Sequence, residues 1–350
     1  MKCWVMFRYA APKRVKISKT SSQAPEAPKA NAAEVEQKVK QWIRDNENPN
    51  TSAKYKSAWS QFVKWCEEER HEPNESTGVV VAEYCRHLLE DKNAASSTIA
   101  GACAAISDHL RYSEGQKSTN TEVVRRARKI CQVKAKDKKP KKPLTVNMLV
   151  RMVNVCEYEE WMQVRDVFMI LLLMSAYLRE SELVALELNE VWVEELEVEG
   201  KPRQVLHVFV RKAKNDQERR GHQRLVGGHE GNLTLCPVTW FRRWMVCRNG
   251  LSGKNEFKCD AGSLVCKEDG SALATGTPCG IVQRWVDKIG MNGREYGSHS
   301  GRSGGATEAN KYGVNDLLIK RHGNWKSDAV YDYIRESVPQ QLQTTSFLQQ

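Results

Sequence analysis

Four separated segments in the second half of the chain carry residue types that bind anions or act as nucleophiles. In one of them, S-H-S-G-R-S-G-G-A-T, His299 and Arg302 stand three residues apart at the predicted start of a helix. They share a helix face beside free backbone N–H groups, an arrangement that favours a phosphate or another anion. An H-x-x-R pattern is common by chance, so it predicts an anion site only in combination with the other segments.

A second segment, L-R-E-S-E-L, places Arg179 at the end of the most apolar predicted helix. Arginine is almost never buried unless it is paired or bound to an anion, and Glu182 is spaced to pair with it. A third segment, V-R-K-A-K-N-D-Q, carries two lysines at a predicted hairpin tip. Lys214 fits the tip better than Lys212, and it could reach down into a site.

The fourth segment, H-G-N-W-K-S-D-A-V-Y-D-Y-I-R, places Tyr331 and Tyr333 shortly after Trp325. A phenol, whose pKa is about 10, becomes a competent nucleophile only beside cationic groups or a base. Two planar guanidinium groups can neutralise the charge that develops on phosphate oxygens. Together the four segments therefore carry the residue types that attack on a phosphodiester would need.

The elements that must position these residues follow from periodicity. From about Ala33 to Lys136, apolar residues recur at helical spacing in four stripes, which predicts four or five helices. Beyond a linker with two prolines, Thr145 is a candidate helix N-cap. Further helices then mix with strands near residues 191–193, 205–210 and 224–226. We therefore predict a mainly α chain with a small β-sheet. Its predicted parts are a disordered tail (1–32), a helical domain (33–136), a basic linker (137–143), a mixed domain (144–338) and a C-terminal tail (339–350).

The net charge of +11 is concentrated in one stretch. Arg125 to Lys142 contains ten basic residues and one acidic residue. This density favours contact with nucleic-acid phosphates, although a solvated helix end would carry the same charge. The candidate DNA-binding residues are Arg125, Arg126, Lys138, Lys139, Lys141 and Lys142.

Several classes of protein are disfavoured by composition. The longest apolar run spans about a dozen residues, where a membrane span needs roughly 20. The N-terminus lacks the apolar region and cleavage site of a secretory signal. The eleven cysteines form no C-x-x-C pair, so we expect free thiols rather than disulfides or a metal site. We also expect Cys66, Cys85, Cys103 and Cys131 to be small core residues.

In this order and spacing, the four segments resemble those of the tyrosine recombinase (phage integrase) family, and the resemblance spans about residues 40–337. L-R-E-S-E-L is similar to the family's first arginine box, S-H-S-G-R to its H-x-x-R box, and the fourth segment to the box that ends at the nucleophile. The residues of the last two boxes most resemble recombinases of eukaryotic mobile elements of the DIRS and Crypton kind. The resemblance implies an all-α SAM-like core-binding domain followed by an α+β catalytic domain.

The resemblance also implies roles for individual residues. Arg179 and Arg302 would clamp the scissile phosphate, and His299 would hydrogen-bond it. Trp325 would donate its indole N–H to a phosphate oxygen, and Lys214 would protonate the leaving 5′ oxygen. Glu182 and His322 would support these groups, and no metal or other cofactor would be needed. Tyr333 would be the nucleophile because the Tyr-Ile-Arg context matches. Tyr331 is the alternative, since it restores the family's usual nine-residue count from His322.

The implied function is site-specific DNA recombination or integration through a 3′-phosphotyrosine intermediate. The implied partners are double-stranded DNA and further copies of the chain, as a dimer on each site and a tetramer in the synapse. Two alternatives remain open, a type IB topoisomerase and a domesticated, catalytically silent DNA-binding protein. We expect a nuclear protein if the source is eukaryotic, and a cytoplasmic one otherwise, without a membrane partner.

Overall fold

The chain divides into two compact units, Met1–Lys138 and Lys139–Gln350, so the boundary falls inside the predicted linker. The computed structural model describes residues 32–46, 48–111, 118–135, 140–211, 220–229, 231, 233–255, 261–335 and 341–342. No helix in these ranges is long and apolar enough to cross a membrane. The same ranges contain no group of three or more His, Cys, Asp or Glu side chains that could hold a metal ion.

The described part of the first unit is entirely helical. Its helices are α1 (Ala32–Asp45), α2 (Pro49–Glu68), α3 (Gly78–Glu90), α4 (Ser96–Leu110) and α5 (Glu122–Lys134). Asn48, Thr77 and Thr121 cap α2, α3 and α5 by accepting backbone N–H groups, which satisfies donors left open at a helix start. The described part of this unit therefore contains five α-helices, where four or five were predicted.

The core of this unit is built from one apolar side of each of the helices α2 to α5. Cys66, Cys85, Cys103 and Cys131 are all buried there, one on each helix, which confirms their prediction as small core residues. Phe62, Trp65 and Tyr84 supply the large rings of the same core.

The second unit combines helices with a three-stranded sheet, which confirms the predicted fold class. The helices are α6 (Val146–Asn154), α7 (Trp161–Ser175), α8 (Glu180–Ala185), α9 (Pro237–Asn255), α10 (Thr277–Lys288), α11 (Ser298–Lys311) and α12 (Asp316–His322). Thr145 caps α6 as predicted, since its Oγ1 accepts the Met148 N–H. The helix α7 is buried on nearly all sides and lies at the centre of the core.

The sheet contains β1 (Val191–Val198), β2 (Lys201–Val210) and β3 (His222–Gly227), antiparallel and in that order. Val191 pairs with Val208, and Val210 pairs with His222. In β3 buried and exposed residues alternate, so Arg224 and Val226 both point to the covered face. The sheet was predicted, and each strand is longer than its predicted apolar centre because polar residues continue the ladder.

Close packing of α11 against α7 depends on glycine. A side chain at Gly301 would approach the Leu173 Cβ to 2.7 Å, and one at Gly305 would approach the Met174 carbonyl oxygen to 2.0 Å. Neither position can accept a Cβ, so the two helix backbones approach each other directly. This packing places the N-terminal turns of α11 beside the C-terminal end of α7, from which the next chain segment leads to Arg179.

Candidate active site

Arg179 lies at the N-terminal end of α8, with an extended backbone and a side chain that is 13% exposed. Glu182 binds it twice. One carboxylate oxygen accepts the Arg179 backbone N–H at 3.0 Å, and the other accepts the guanidinium at 2.5 Å. Both the backbone and the side chain of Arg179 are therefore fixed by a single buried carboxylate.

Arg302 lies in α11 and is fully buried. Its guanidinium donates to the carbonyl oxygen of Tyr177 and, at 2.8 Å, to that of Gly323. The Nε of Arg302 has no hydrogen-bond partner among the described residues. Burial, followed by the charge of Arg179, lowers the pKa of Arg302. An anion beside the two arginines would relieve this repulsion.

Tyr333 lies beside Arg302 and Trp325. Its ring is 5.6 Å from the Arg302 guanidinium carbon and 5.3 Å from the ring of Trp325. The ring of His299, an exposed residue, is 6.2 Å away. The Tyr333 carbonyl accepts the Ser303 hydroxyl at 2.6 Å, which ties the tyrosine to the helix that carries Arg302.

Tyr331 occupies a different environment. Its side chain is 54% exposed and lines a surface cleft with Ile334, Arg335 and Gln341. The tyrosines are separated by a single residue, Asp332, in a short hydrogen-bonded turn, so their side chains leave the backbone in different directions. The geometry therefore places Tyr333, rather than Tyr331, beside Arg302.

Trp325 forms one wall of the site. The Arg302 guanidinium lies 3.8 Å from the centre of its ring, within the range of a cation–π contact. Its buried indole N–H has no acceptor among the residues the structure describes. Asn324, just before it, has a φ of +54°, a conformation that Asn tolerates better than most residues. This turn directs the tryptophan onto Arg302.

His322 lies behind Trp325. Its Nε2 is 2.9 Å from the Ser175 carbonyl oxygen, and its ring contacts Tyr177 edge-on. The carbonyl can only accept, so Nε2 carries the proton. Burial lowers the pKa of His322, which favours the neutral ring. These contacts suit a supporting residue better than a phosphate ligand.

The sequence and the fold are similar to those of known recombinases and integrases. The "Integrase/recombinase xerD homolog" of Selenomonas ruminantium is 23% identical over 304 residues, which cover 85% of each chain. Among solved structures, the XerH site-specific recombinase bound to palindromic difH substrate aligns with a TM-score of 0.59 at 15% identity, over 83% of this chain and 76% of that one. A lambda integrase tetramer bound to a Holliday junction aligns with a TM-score of 0.55 at 14% identity, over 87% and 78%. No protein-family model matches the chain.

The chain has the fold of the tyrosine recombinases. Within this recombinase fold, Arg179, Arg302, His299, Trp325 and Tyr333 converge on one site in the second unit. Lys214 and the alternative Lys212 lie outside the described residues, as does the rest of the β2–β3 connection from 212 to 219. The role expected of Lys214 therefore stays a prediction.

The predicted basic residues fall in two groups on the recombinase fold. Arg125 and Arg126 lie on α5, where both pair with Glu122, while Lys138 and Lys139 lie outside the described residues. Lys142 was predicted in the linker, but two contacts to Glu295 hold it in place. Its backbone N–H donates to the Glu295 carbonyl at 2.9 Å, and its ammonium lies 2.7 Å from the Glu295 carboxylate. Lys141 donates to the neighbouring Arg294 carbonyl, so these two lysines are fixed on the second unit.

Arg224 was missed by the sequence reading. It is fully buried, and its guanidinium lies 3.0 Å from the Glu182 carboxylate oxygen that also accepts the Arg179 backbone N–H. The available signal was its position in the strand pattern, since Arg224 and Val226 share the face that must be covered. A charged residue at a buried strand position requires a buried partner, which only the tertiary structure identifies.

The arrangement suits one kind of chemistry. The phenol of the half-buried Tyr333 has Arg302, Trp325 and His299 as neighbours, and the charge of Arg179 acts on Arg302. These donors can bind the non-bridging oxygens of a phosphate and stabilise the charge that grows there during an in-line attack.

Proposed function

We propose that this protein cuts and rejoins DNA strands as a site-specific recombinase or integrase. The observation that carries the proposal is the position of the Tyr333 ring beside Arg302 and Trp325, with Arg179 close enough for its charge to act on Arg302. The DNA-bound state of the XerH and lambda integrase structures supports DNA as the substrate.

In the proposed reaction the phenol oxygen of Tyr333 attacks phosphorus while Arg179 and Arg302 hold the non-bridging oxygens. The bond from phosphorus to the 5′ oxygen breaks, and Lys214 gives that oxygen a proton. His299 is the imidazole placed to receive the phenol proton. The 3′-phosphotyrosine conserves the phosphate ester, so attack by a free 5′ hydroxyl reverses the step and rejoins a strand.

The proposal predicts a covalent complex that forms in the presence of EDTA. The two arginines supply the positive charge that metal ions supply in two-metal sites, so chelation should leave the yield unchanged. The chain should be incubated with a pool of nicked duplexes of random sequence. Mass spectrometry would then locate the DNA-linked tyrosine. Cleavage that stops in EDTA and returns with magnesium would contradict the mechanism.

The same experiment separates the two alternatives. A type IB topoisomerase would relax supercoiled plasmid as a monomer without site preference, whereas a recombinase should select related sequences from the random pool. A catalytically silent DNA-binding protein would bind the pool and never become linked to it.

DNA binding by the basic stretch is proposed on charge alone. Replacing these four lysines by glutamine should weaken binding by a similar factor for duplexes of unrelated sequence. The lysines are Lys138, Lys139, Lys141 and Lys142. The slope of log K against log salt should flatten by about 0.9 for each lost phosphate contact. Fluorescence anisotropy at several salt concentrations measures this slope. An unchanged slope would show that these lysines make no phosphate contacts.

Self-association follows from the proposed reaction, because two duplexes exchange four strands. The exposed apolar side chains at the α11–α12 connection offer a surface for a neighbouring copy: Tyr312, Val314, Leu317 and Leu318. We propose that the C-terminal residues, among them the exposed Leu342, dock there from the next copy. The number of copies in trapped covalent complexes measures this assembly.

We also propose which kind of recombinase this protein is and where in the cell it acts. The S-H-S-x-R-x-G-G-A-T and W-K-S-D-A residues support a recombinase of a eukaryotic mobile element of the DIRS or Crypton kind, which would act in the nucleus. Fluorescence microscopy of the tagged chain in a eukaryotic cell tests the nuclear location.

A further inference from the structure

Arg224 is joined to the candidate active site by two contacts that have different consequences. One end of its guanidinium donates to the carbonyl oxygen of Ala176 at 2.6 Å. The other end lies 3.0 Å from a carboxylate oxygen of Glu182. The first contact fixes a backbone turn, and the second fixes the charge partner of Arg179.

The turn held by the first contact leads from α7 to α8. Within it Tyr177 has a φ of +46°, which is unfavourable for a bulky residue and persists only when its surroundings enforce it. Arg224 holds the carbonyl before Tyr177, and Arg302 holds the Tyr177 carbonyl itself. The two arginines therefore hold the turn on adjacent peptide groups.

The second contact concerns the ionisation of Glu182, which is buried. Burial alone would raise the pKa of this carboxyl. The charge of Arg224, the Arg179 backbone N–H and the charges of Arg179 and Arg302 act against burial, and the pKa falls below its usual value. Among these opposing influences Arg224 is the strongest.

From these contacts we propose that Arg224 is a positioning residue of the phosphate clamp, which holds the Glu182 carboxylate and the Ala176–Arg179 turn in place so that Arg179 and Arg302 face one phosphate. The inference rests on the proposed strand-cutting function. Arg224 is given no role in bond making, because its guanidinium contacts the Ala176 carbonyl and the Glu182 carboxylate, whereas Arg302 lies beside the ring of Tyr333.

The groups around Glu182 determine what a pH profile should show. Arg179 approaches it from the start of α8, Arg224 from β3 and Arg302 from α11. His222 and His322 are the titratable neighbours of Arg224, and their pKa values are lowered first by burial and also by its charge. Loss of Arg224 therefore raises the pKa of Glu182 and also raises the pKa values of both histidines. The experiment must then distinguish titration of the carboxyl group from titration of the imidazoles.

The test compares R224M, R224K and the double variant R224M/E182Q. The rate of covalent linkage to a nicked duplex is measured in single turnover between pH 5 and 9, together with duplex affinity and Tm. R224M should react about 10²-fold more slowly at neutral pH, a size typical of a misplaced catalytic group. Its rate should fall further as the pH drops, because protonated Glu182 no longer holds Arg179. R224K should recover part of the rate.

The double variant identifies the titrating group. If the acid limb of R224M belongs to Glu182, it disappears in R224M/E182Q, whereas a limb due to His222 or His322 survives. R165M is the matched control, since Arg165 is a buried arginine bound to the Asp166 carboxylate within α7. It should lower Tm while leaving the rate and pH profile of the folded protein unchanged.

Three outcomes would overturn the inference. If the wild-type chain forms no covalent complex, the proposed function is wrong, and the positioning role of Arg224 is wrong with it. If the wild type reacts and R224M has the same rate and pH profile as the wild type, only the proposed role of Arg224 is wrong. An acid limb that survives in the double variant shows that Arg224 does not act through Glu182.

Discussion

Replacing Tyr333 by phenylalanine is expected to abolish the covalent protein–DNA complex while duplex affinity stays within about twofold of the wild type. The substitution removes one hydroxyl group and no charge, and the ring that contacts Trp325 and Arg302 is retained. Electrostatic contacts with phosphates dominate DNA affinity and are unaffected. Trapping on nicked duplexes, followed by denaturing electrophoresis, measures the first quantity, and anisotropy measures the second.

The matched control is Y331F, which makes the same chemical change two residues away. Tyr331 is more than half exposed, so its loss should leave both the covalent yield and the affinity intact. If Y331F were inactive and Y333F active, the nucleophile would be Tyr331. DNA binding would then have to rotate the segment after Trp325 by a large angle.

The sequence could not decide between the two tyrosines for a physical reason. The nine-residue count from His322 leads to Tyr331, whereas the Tyr-Ile-Arg context favours Tyr333, and both tyrosines follow the same tryptophan. The decision depends on the direction in which each side chain leaves a short turn. That direction is fixed by Ser303 and Thr307, which bind the Tyr333 carbonyl from a helix some thirty residues away in the sequence.

Local sequence patterns predicted which helices and strands form more accurately than they predicted the residues at which those elements end. The apolar run of α7 was predicted to continue to about Leu178, but the helix ends at Ser175. The positive φ of Tyr177 cannot be read from a tyrosine, since only glycine, asparagine and aspartate suggest it by their type. This early end matters because it frees the Tyr177 carbonyl to hold Arg302.

Charged residues were predictable where partners lie close in sequence. Arg179 and Glu182 are three residues apart and could be paired on spacing alone. Arg224 lies 42 residues from Glu182, and its strand was predicted without any indication of what its side chain would meet. A buried ion pair that closes across such a distance is a property of the tertiary structure.

Removing the guanidinium of Arg302 should have the second large effect. We expect R302M to form the covalent complex at least about 10³-fold more slowly, with duplex affinity reduced by less than about tenfold. A buried arginine contributes at most one phosphate contact to binding, whereas stabilisation of growing charge affects the barrier directly. Single-turnover trapping and anisotropy separate the two quantities.

R302M also deletes two hydrogen bonds to backbone carbonyls, so a loss of rate could reflect disturbed folding. Arg248 provides the comparison, because it too is fully buried and donates to two carbonyls, those of Ala261 and Ser263. R248M should lower Tm while its folded fraction reacts at the wild-type rate. If both variants lost rate in proportion to their loss of Tm, Arg302 would be a brace for the turns at Tyr177 and Gly323. The charge on the phosphate would then have to be met by Arg179 and by residues beyond those the structure describes.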